Sequence, residues 1–267
     1  SASRCAVAMR PYVALLGGLL TPPAITPMLR ARVDSRLACA AAGLPGAPSG
    51  EGAPADEISE EALARMCAAF PEVADGIRTY VRELQAYNAQ TNVYSQRAYG
   101  RLPFHLEDSL TLGTMVAEAP GPVLDMGSGS GLPAVLVALL NRDHTVHAVE
   151  SKSRKTAFIR RAAEALSLAN LRVHTANVHE LARSGGWDVR YVTAKAFKPL
   201  PEVVRIAGRS VLREARLIVP VSEAQVREFG PEGTGLIGPG NVEARGQFLY
   251  VHMRVEALGK EGRPVIE

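Results

Sequence analysis

Two different periods of apolar and polar residues run along the chain, and each predicts its own kind of element. The segment "VADGIRTYVRELQAYN" places apolar residues on one helical stripe, which predicts an amphipathic helix packed on a core. A shorter helix is predicted at "ISEEALARMCAAF", where acids occupy the first turn. From Val123 onward, short apolar runs typical of strands alternate with helical segments. This alternation predicts an α/β fold with a mostly parallel sheet covered by helices.

Individual elements can be assigned in this second part. Strands are predicted at "PVLDMG", "TVHAVES", "LRVHTAN", "DVRYVTAK" and "ARLIVPV", and the segment "VEARGQFLYVHMRV" closes the chain with strand-like residues. Helices are predicted between them at "LPAVLVALL", "KSRKTAFIRRAAEALSL", "LPEVVRIAGRSVL" and "SEAQVREF".

The beginning of the chain has a different composition. Residues 1–56 are rich in Ala, Pro and Gly, and the part before Asp34 contains arginines but no acids. This bias is typical of an organelle transit region, and a secretory signal around "MRPYVALLGGLL" is the competing interpretation. We expect an extension and linker at 1–56, an N-terminal helical subdomain at 57–118, the main α/β domain at 119–258 and a C-terminal tail at 259–267.

Composition excludes several classes of protein. The net charge of +3 implies no strong polyelectrolyte behaviour, and Cys5, Cys39 and Cys67 are too scattered for a disulfide framework or a zinc site. The six histidines show no ligand spacing, so no metal is predicted, and His144 and His147 are expected at the surface. Because no apolar run reaches the length of a membrane span, we expect no membrane partner.

The stretch "LDMGSGSGLP" carries the main chemical signal. Glycines at 127, 129 and 131 lie between a strand and a helix, where glycine allows positive φ and close approach of a ligand. The dinucleotide pattern G-x-G-x-x-G/A is met from Gly129 through Ala134, which would suit NAD. The pattern D-x-G-x-G-x-G, which begins at Asp125, is typical of S-adenosylmethionine (SAM) sites. A glycine turn without a ligand is the third interpretation.

Glu150 strengthens the prediction of a nucleoside ligand. It ends the strand "TVHAVES", and an acid at the tip of the second strand of a doubly wound fold accepts hydrogen bonds from a ribose. SAM and NAD both carry such a ribose, so Glu150 does not choose between them. The alternative for Glu150 is a solvated loop acid.

Several motifs, in the right order, resemble one known family. "YNAQTNVYS" is similar to W-N-x-x-x-N-L-T, "FHLEDSL" to R-H-x-x-D-S-L, and "LDMGSGSGLP" to D-x-G-[ST]-G-x-G-[FL]-P. "VESKSRKTAFIRRA" is similar to E-S-x-x-K-[RK]-x-x-F-L-R, and "VTAKAF" to T-A-R-A/S-R-A-F. From about Ile77 to Val255, the chain resembles the RsmG (GidB) family of bacterial and organellar small-subunit ribosomal RNA guanine-N7 methyltransferases.

The resemblance implies a class I (Rossmann-like) SAM methyltransferase fold with a seven-stranded sheet and an N-terminal helical extension. SAM is the implied cofactor, and small-subunit ribosomal RNA and ribosomal proteins are the implied partners, without a homo-oligomer. From the transit-like start of the chain, we expect the mitochondrial matrix or another organelle as the location, or the cytoplasm if the protein is bacterial. The implied cofactor-binding residues are Asp125, Gly127, Gly129, Gly131, Leu132, Glu150, Asn177 and Val178. The candidates for positioning the substrate are His105, Asp108, Lys195 and Arg245.

Basic residues form two groups that suit phosphate contacts. The resemblance favours RNA binding for the first group, and an ordinary solvated face is an equal alternative for the second. The first group follows Glu150 and comprises Lys152, Arg154, Lys155 and Arg160. The second recurs at every fourth residue of a predicted helix and comprises Arg205, Arg209 and Arg213.

The chain also departs from the family pattern on the substrate side. Phe104 stands where the family usually has an arginine, Asn177 replaces the arginine after the third strand, and Lys195 replaces another. No lysine lies near Val221, whereas Arg245 matches a late arginine. The alternative function is therefore a catalytically degenerate member that serves as a structural or assembly component of an organellar small subunit. An NAD-binding oxidoreductase is the weaker alternative.

Overall fold

The computed structural model of the protein describes residues 58–183 and 186–257. The predicted extension at 1–56 and the predicted tail at 259–267 lie outside the described residues, so the four-part division of the chain stays a prediction. The described α-helices are α1 (Glu60–Ala69), α2 (Ala74–Asn88), α3 (Leu102–Val116), α4 (Ala134–Leu140), α5 (Ser153–Ala165), α6 (Val178–Arg183), α7 (Leu200–Ser210) and α8 (Glu223–Phe229). Short 3-10 helices cover Pro71–Val73 and Gln96–Arg101.

The strands form one sheet of seven. They are β1 (Val123–Met126), β2 (Val146–Glu150), β3 (Leu171–Thr175), β4 (Tyr191–Thr193), β5 (Ala215–Val221), β6 (Val242–Arg245) and β7 (Phe248–Val255). Their order is β3-β2-β1-β4-β5-β7-β6, with β1 to β5 parallel and β7 antiparallel to both β5 and β6. The sheet confirms the class I methyltransferase fold that the resemblance implies, including its mostly parallel, seven-stranded character.

Alternating side chains of β1 build the two layers of the core. Val123 joins the cluster beneath α1 to α5, and its neighbour Leu124 joins the cluster beneath α7. Both side chains are fully buried, as period-two alternation requires of a strand covered on both faces. Burial of each such side chain contributes about 1.5–3 kcal/mol. Because both faces of the sheet are covered, the central strands have nearly continuous apolar sequences.

The position of β1 fixes where a ligand can bind. β1 pairs with β2 on one side and with β4 on the other, and Val123 aligns with Val146 and Tyr191. The chain therefore leaves β1 toward one half of the sheet and later returns to the other half. In open α/β sheets, such a switch point creates a crevice at the carboxyl ends of the strands. The glycine turn after β1 lies at this crevice.

The predicted helical stripe is confirmed in α2. Ile77, Tyr80, Val81 and Leu84 are buried, and Tyr87 is half-buried against Phe158. The Tyr80 hydroxyl donates to the backbone oxygen of Ser130 at 2.8 Å. The N-terminal helices thus support the glycine turn directly.

One surface prediction was wrong. His144 is buried, and its Nδ1 lies 2.9 Å from Asp143 Oδ1, because the turn before β2 folds the ring toward the backbone oxygen of Ala119. His147 is half-buried on β2 beside His174. Among the described helices, none is long and apolar enough to cross a membrane.

Candidate functional site

The three glycines after β1 all have positive φ, at +74° for Gly127, +58° for Gly129 and +87° for Gly131. A Cβ at Gly127 would overlap the ring of Phe197, and a Cβ at Gly131 would lie 2.6 Å from Val135 Cγ2. A Cβ at Gly129 would instead meet only the backbone oxygen of Gly127, at 3.9 Å. Gly129 is therefore the glycine of this turn that leaves its main chain open to a ligand.

Hydrogen bonds hold the glycine turn from two sides. The backbone N–H groups of Gly127 and Ser128 donate to the Val149 oxygen at 2.9 and 3.0 Å. On the other side, Ser130 accepts from the Tyr80 hydroxyl. The turn is preorganised by β2 and α2.

Glu150 occupies the tip of β2 and is only 7% exposed. Its Oε2 accepts from Gly129 N at 3.1 Å, and its Oε1 accepts from Lys152 N at 2.8 Å. This burial excludes the alternative in which Glu150 is a solvated loop acid. Oε1 also accepts from Ser151 Oγ at 3.3 Å, whereas Oε2 can accept a second hydrogen bond and so can still receive a ribose hydroxyl.

A cavity of about 550 Å³ opens beside this turn. One half is bounded by the glycine turn and Glu150, together with Asn177 and Val178 after β3. The other half is bounded by the loop before α3, the first turn of α3 and the segment after β4. The residues of this second half are Val93, Tyr94, Ser95, His105, Lys195, Ala196, Phe197 and Lys198. The structure thus brings most of the predicted cofactor residues to one wall of one cavity.

Asp125 and Gly131 have different surroundings from the other predicted cofactor residues. Asp125 is buried between β1 and β4, where its Oδ1 accepts from Thr193 Oγ1 at 2.8 Å. Burial raises the pKa of the Asp125 carboxyl to about 6, against the effect of hydrogen bonds from Ser128 and Thr193. Asp125 and Gly131 therefore shape the turn from behind, Gly131 through its close packing on Val135.

A compact polar cluster joins three of the predicted positioning residues. Lys195 Nζ donates to His105 O at 2.9 Å and to Ser109 Oγ at 3.1 Å, and lies 3.2 Å from Asp108 Oδ2. These contacts use all three donors of the ammonium group. Asp108 Oδ1 also accepts from the Tyr250 hydroxyl at 2.6 Å. Lys195 therefore ties the segment after β4 to the first turn of α3 and to β7.

His105 is held neutral at the edge of this cluster. Burial and, to a smaller extent, the Lys195 ammonium lower the pKa of its imidazole to about 4, whereas Asp108 opposes the shift. The Arg101 guanidinium adds a smaller effect in the same direction as Lys195. A neutral ring can donate or accept a hydrogen bond at the cavity wall.

Arg245 lies in a separate charged network on the β6–β7 hairpin. Its Nη2 contacts Glu118 Oε1 at 3.3 Å and also pairs with Glu243. Glu118 follows α3 and binds Arg216 at 2.9 Å. The structure therefore brings together His105, Asp108 and Lys195, but places Arg245 outside their cluster.

The predicted RNA-binding residues divide among several places. Lys152 and Lys155 line the mouth of the cavity, whereas Arg160 binds Thr175 Oγ1 of β3 at 2.9 Å. Arg213 lines a second concavity of about 900 Å³, where β4 and β5 begin. Arg154, Arg205 and Arg209 are exposed, Arg154 at the start of α5 and the other two on α7. The prediction that Arg213 continues the helical stripe was wrong, because α7 ends at Ser210, and only Arg205 and Arg209 lie on the helix.

The sequence predictions missed several residues of the cavity wall. Tyr94, Phe197, Lys198 and His179 also line the cavity. A signal was available for Tyr94, because it stands at the threonine position of the motif that "YNAQTNVYS" resembles. Phe197 ends "VTAKAF", and its ring fills the space that Gly127 leaves.

Comparisons with known proteins agree with this geometry. The family described as rRNA small subunit methyltransferase G matches residues 74–225, which is more than half of the chain. Ribosomal RNA small subunit methyltransferase G of Bordetella petrii is 34% identical over 163 residues, covering 57% of this chain and 63% of that protein. The protein of the same name from Bordetella avium is 28% identical, covering 66% and 82%.

A solved structure is also similar. Ribosomal protein L11 methylase from Lactobacillus delbrueckii subsp. bulgaricus matches with a TM-score of 0.43 at 15% identity, covering 57% of this chain and 78% of that chain. The resemblance read from the motifs is confirmed by the sequence comparisons, and they do not favour the NAD-binding alternative. The chain belongs to the rRNA small subunit methyltransferase G family.

Proposed function

We propose that this protein is a SAM-dependent methyltransferase that acts on N7 of a guanine in small-subunit ribosomal RNA. The observation that carries the proposal is the cavity in which an open glycine turn and a buried acid face a second wall of polar and aromatic residues. Family membership supports the substrate class. The specific atom, N7, is supported by the resemblance of the motifs.

The cofactor wall has features that suit SAM. The main chain at Gly129 is open, and Glu150 is fixed where a ribose can donate to it. Asn177 Oδ1 accepts from His179 N at 3.0 Å, which orders the segment at the start of α6. When bound, SAM supplies an electrophilic methyl group, which leaves the sulfonium as the guanine N7 lone pair forms the new bond. We propose that Leu132 and Val178 give this wall its apolar contacts.

Methylation at N7 makes modest chemical demands on the protein. The N7 lone pair is available without prior loss of a proton, so this chain needs no general base. Its residues contribute by orienting the two reactants, which accounts for large rate factors in bimolecular steps. A neutral His105 suits this task, because a nearby imidazolium would protonate N7 or oppose the positive charge that the base acquires.

Lys152, Lys155 and Lys198 support the RNA side of the proposal. They surround the cavity with positive charge, and Lys198 is 43% exposed although it lies 3.5 Å from Glu202. Such a rim suits backbone phosphates on either side of the target base. We propose that ribosomal proteins are further partners and that Arg205 and Arg209 serve contacts outside the cavity.

An organellar location is a separate part of the proposal. It is supported by the acid-free, arginine-bearing start of the chain, which lies outside the described residues. The relatives named above are bacterial, so the cytoplasm is the competing location. We also propose a role in ribosome assembly, which is supported by small-subunit ribosomal RNA as the substrate class.

The direct test is to incubate the purified full chain and radiolabelled SAM with immature small ribosomal subunits. We expect label in ribosomal RNA at a single guanine, which chain cleavage specific for 7-methylguanosine then maps. Subunit binding and SAM binding without label would favour the degenerate, structural alternative. Tight NAD binding without SAM binding would contradict the proposal altogether.

A further inference from the structure

The cavity is lined by an aromatic side chain from the loop between α2 and α3. Tyr94 lies in the loop between α2 and α3 and is half-buried, and its ring lines the cavity. Phe197 lines the same cavity from the segment after β4, where its ring packs on Gly127. The Tyr94 ring centroid lies 6.4 Å from that of His105, and the two planes are at 75°. A flat apolar surface therefore borders the polar His105.

The loop that carries Tyr94 is fixed before any ligand binds. Asn88 is buried at the end of α2, and its Nδ2 donates to Tyr94 O at 2.7 Å and to the Tyr99 hydroxyl at 2.9 Å. Its Oδ1 accepts from Val93 N at 2.9 Å and from Tyr94 N at 3.2 Å. A single amide thus uses both of its polar atoms to hold this loop against the cavity.

The ring of Tyr94 is supported in the same way. Tyr99, which is buried, stacks on it with centroids 5.8 Å apart and planes at 23°. The Tyr94 hydroxyl donates to Ala98 O at 3.2 Å, so the polar end of the side chain is already engaged within the loop. A ring restrained in this way loses little conformational freedom when a ligand stacks on it.

The chemistry of this surface suits a nucleobase. Unstacked RNA bases are recognised by stacking on aromatic side chains and by hydrogen bonds to their edges. A 7-methylated guanine also carries positive charge, which an aromatic face attracts. His105 provides a neutral hydrogen-bonding group next to that face.

We infer that Tyr94 is the stacking residue for the guanine that this protein methylates, with Asn88 as the positioning residue that holds it. The inference rests on the proposed function and gives a role to a position where this chain has tyrosine and the family motif has threonine. Stacking requires the ring but not the hydroxyl, since the hydroxyl is bonded to Ala98.

Calorimetry with 7-methylguanosine 5′-monophosphate tests the inference on the full chain saturated with S-adenosylhomocysteine. We expect Tyr94→Ala to weaken nucleotide binding about 5- to 150-fold, the range for loss of one base–aromatic stack. Tyr94→Phe keeps the ring and is expected within about threefold of the unmodified chain. The affinity for S-adenosylhomocysteine is expected to stay within about threefold in both variants, because the hydroxyl and the backbone of Tyr94 are bonded within its own loop.

Tyr87→Ala is the matched control. Tyr87 belongs to α2, packs on Phe158 with centroids 5.4 Å apart, and donates to Arg154 O at 3.3 Å. Its removal takes away an aromatic ring of the same helical region without touching the loop that Asn88 holds. We expect lower thermal stability but unchanged nucleotide affinity.

Three outcomes would overturn the inference. They are no measurable nucleotide binding by the unmodified chain, equal binding by the unmodified chain and Tyr94→Ala, and a loss in Tyr94→Phe as large as that in Tyr94→Ala. Labelling of subunits by the unmodified chain is measured in parallel. If labelling occurs and Tyr94→Ala binds normally, only the stacking inference fails; if labelling never occurs while the nucleotide result is as expected, the failure lies with the proposed reaction.

Discussion

At the scale of single residues, the three glycines of the turn after β1 have three different functions. Gly127 leaves room for Phe197, Gly131 leaves room for Val135, and Gly129 leaves its backbone open to the cavity. Substitutions at these positions should therefore have different effects on folding and on ligand binding. Because all three positions have similar positive φ, a side chain meets similar backbone strain at each of them. Differences between the variants therefore report the surroundings of each glycine.

We predict that Gly129→Val weakens SAM binding more than tenfold. A branched side chain at φ +58° adds strain of about 1–2 kcal/mol, and its methyl groups project into the open space beside the turn. In contrast, Gly131→Ala should lower the free energy of unfolding by about 1–3 kcal/mol through overpacking against Val135. Calorimetry with SAM and with NAD checks the prediction for Gly129→Val, and urea unfolding checks the prediction for Gly131→Ala. Unchanged SAM affinity in Gly129→Val would contradict the assignment of this turn as the SAM-binding site.

A second residue-scale prediction concerns Lys195. Because its ammonium group bonds to His105, Ser109 and Asp108, replacing it with Met leaves a buried carboxylate unpaired. We expect Lys195→Met to lower the free energy of unfolding by about 3–5 kcal/mol. We also expect the variant to lose far more of its methylation rate than of its affinity for SAM.

The double variant Lys195→Met/Asp108→Asn provides the control. It removes both charges, so it should recover part of the lost stability, about 1–2 kcal/mol, if the two side chains interact as described. Additive losses in urea unfolding would contradict a direct Lys195–Asp108 pair.

The sequence predicts residue types better than residue environments. The motif resemblance selected His105, Asp108 and Lys195, which do meet in one cluster. It did not reveal that Lys195 uses its donors within the protein, or that Arg245 pairs with Glu118, since both depend on elements distant in sequence. Long-range pairing cannot be read from local spacing.

At the scale of elements, α3 connects the cavity to the β6–β7 hairpin. His105 lies in its first turn, and Glu107 accepts from Gln247 Nε2 of the hairpin at 3.2 Å. The Tyr250 hydroxyl of β7 donates to Asp108. The hairpin thus supports the helix turn that lines the cavity.

We predict that Glu107 makes stability depend on pH. Burial raises the pKa of its carboxyl to about 7 from an ordinary value of 4.5, so the folded state retains a proton that the unfolded state loses. The contribution is therefore fully favourable below about pH 4.5 and is lost as pH rises through about 7. Glu107→Gln should flatten this decline and stabilise the protein by about 1–3 kcal/mol at pH 8.

Glu60→Gln, on the exposed side of α1, is the control for a lost carboxyl group. It should leave the pH dependence of urea unfolding unchanged. If the stability of Glu107→Gln declines with pH as steeply as that of the unmodified chain, Glu107 is not the responsible group. Asp125 is then the first candidate, because burial also raises its pKa.

The elements themselves could largely be predicted from the sequence. The apolar periods located α2, the parallel strands and the helices between them, because burial on one stripe or on both faces leaves a clear pattern. The loop between α2 and α3 carried no such pattern. Its conformation depends on the side chain of Asn88, which a periodicity cannot show.

At the scale of the whole molecule, the glycine turn and the cavity beside it lie in the described α/β body. We predict that a chain lacking residues 1–56 remains stably folded and binds SAM like the full chain, but associates less with small ribosomal subunits. The reason is that the arginines before Asp34, in a stretch without acids, can contact RNA phosphates. Co-sedimentation with subunits at several salt concentrations measures the difference, and equal association of both chains would contradict it.

The central claim is that this family member still modifies ribosomal RNA. Its departures at Phe104 and near Val221 remove positive charge from the substrate side, whereas the cofactor turn and the His105–Asp108–Lys195 cluster are intact. Mass spectrometry of small-subunit ribosomal RNA from cells with and without the protein tests this claim most directly. We predict a single 7-methylguanosine that disappears when the protein is absent and returns with the intact gene but not with Gly129→Val. An identical set of modified nucleotides in both kinds of cell would contradict the account.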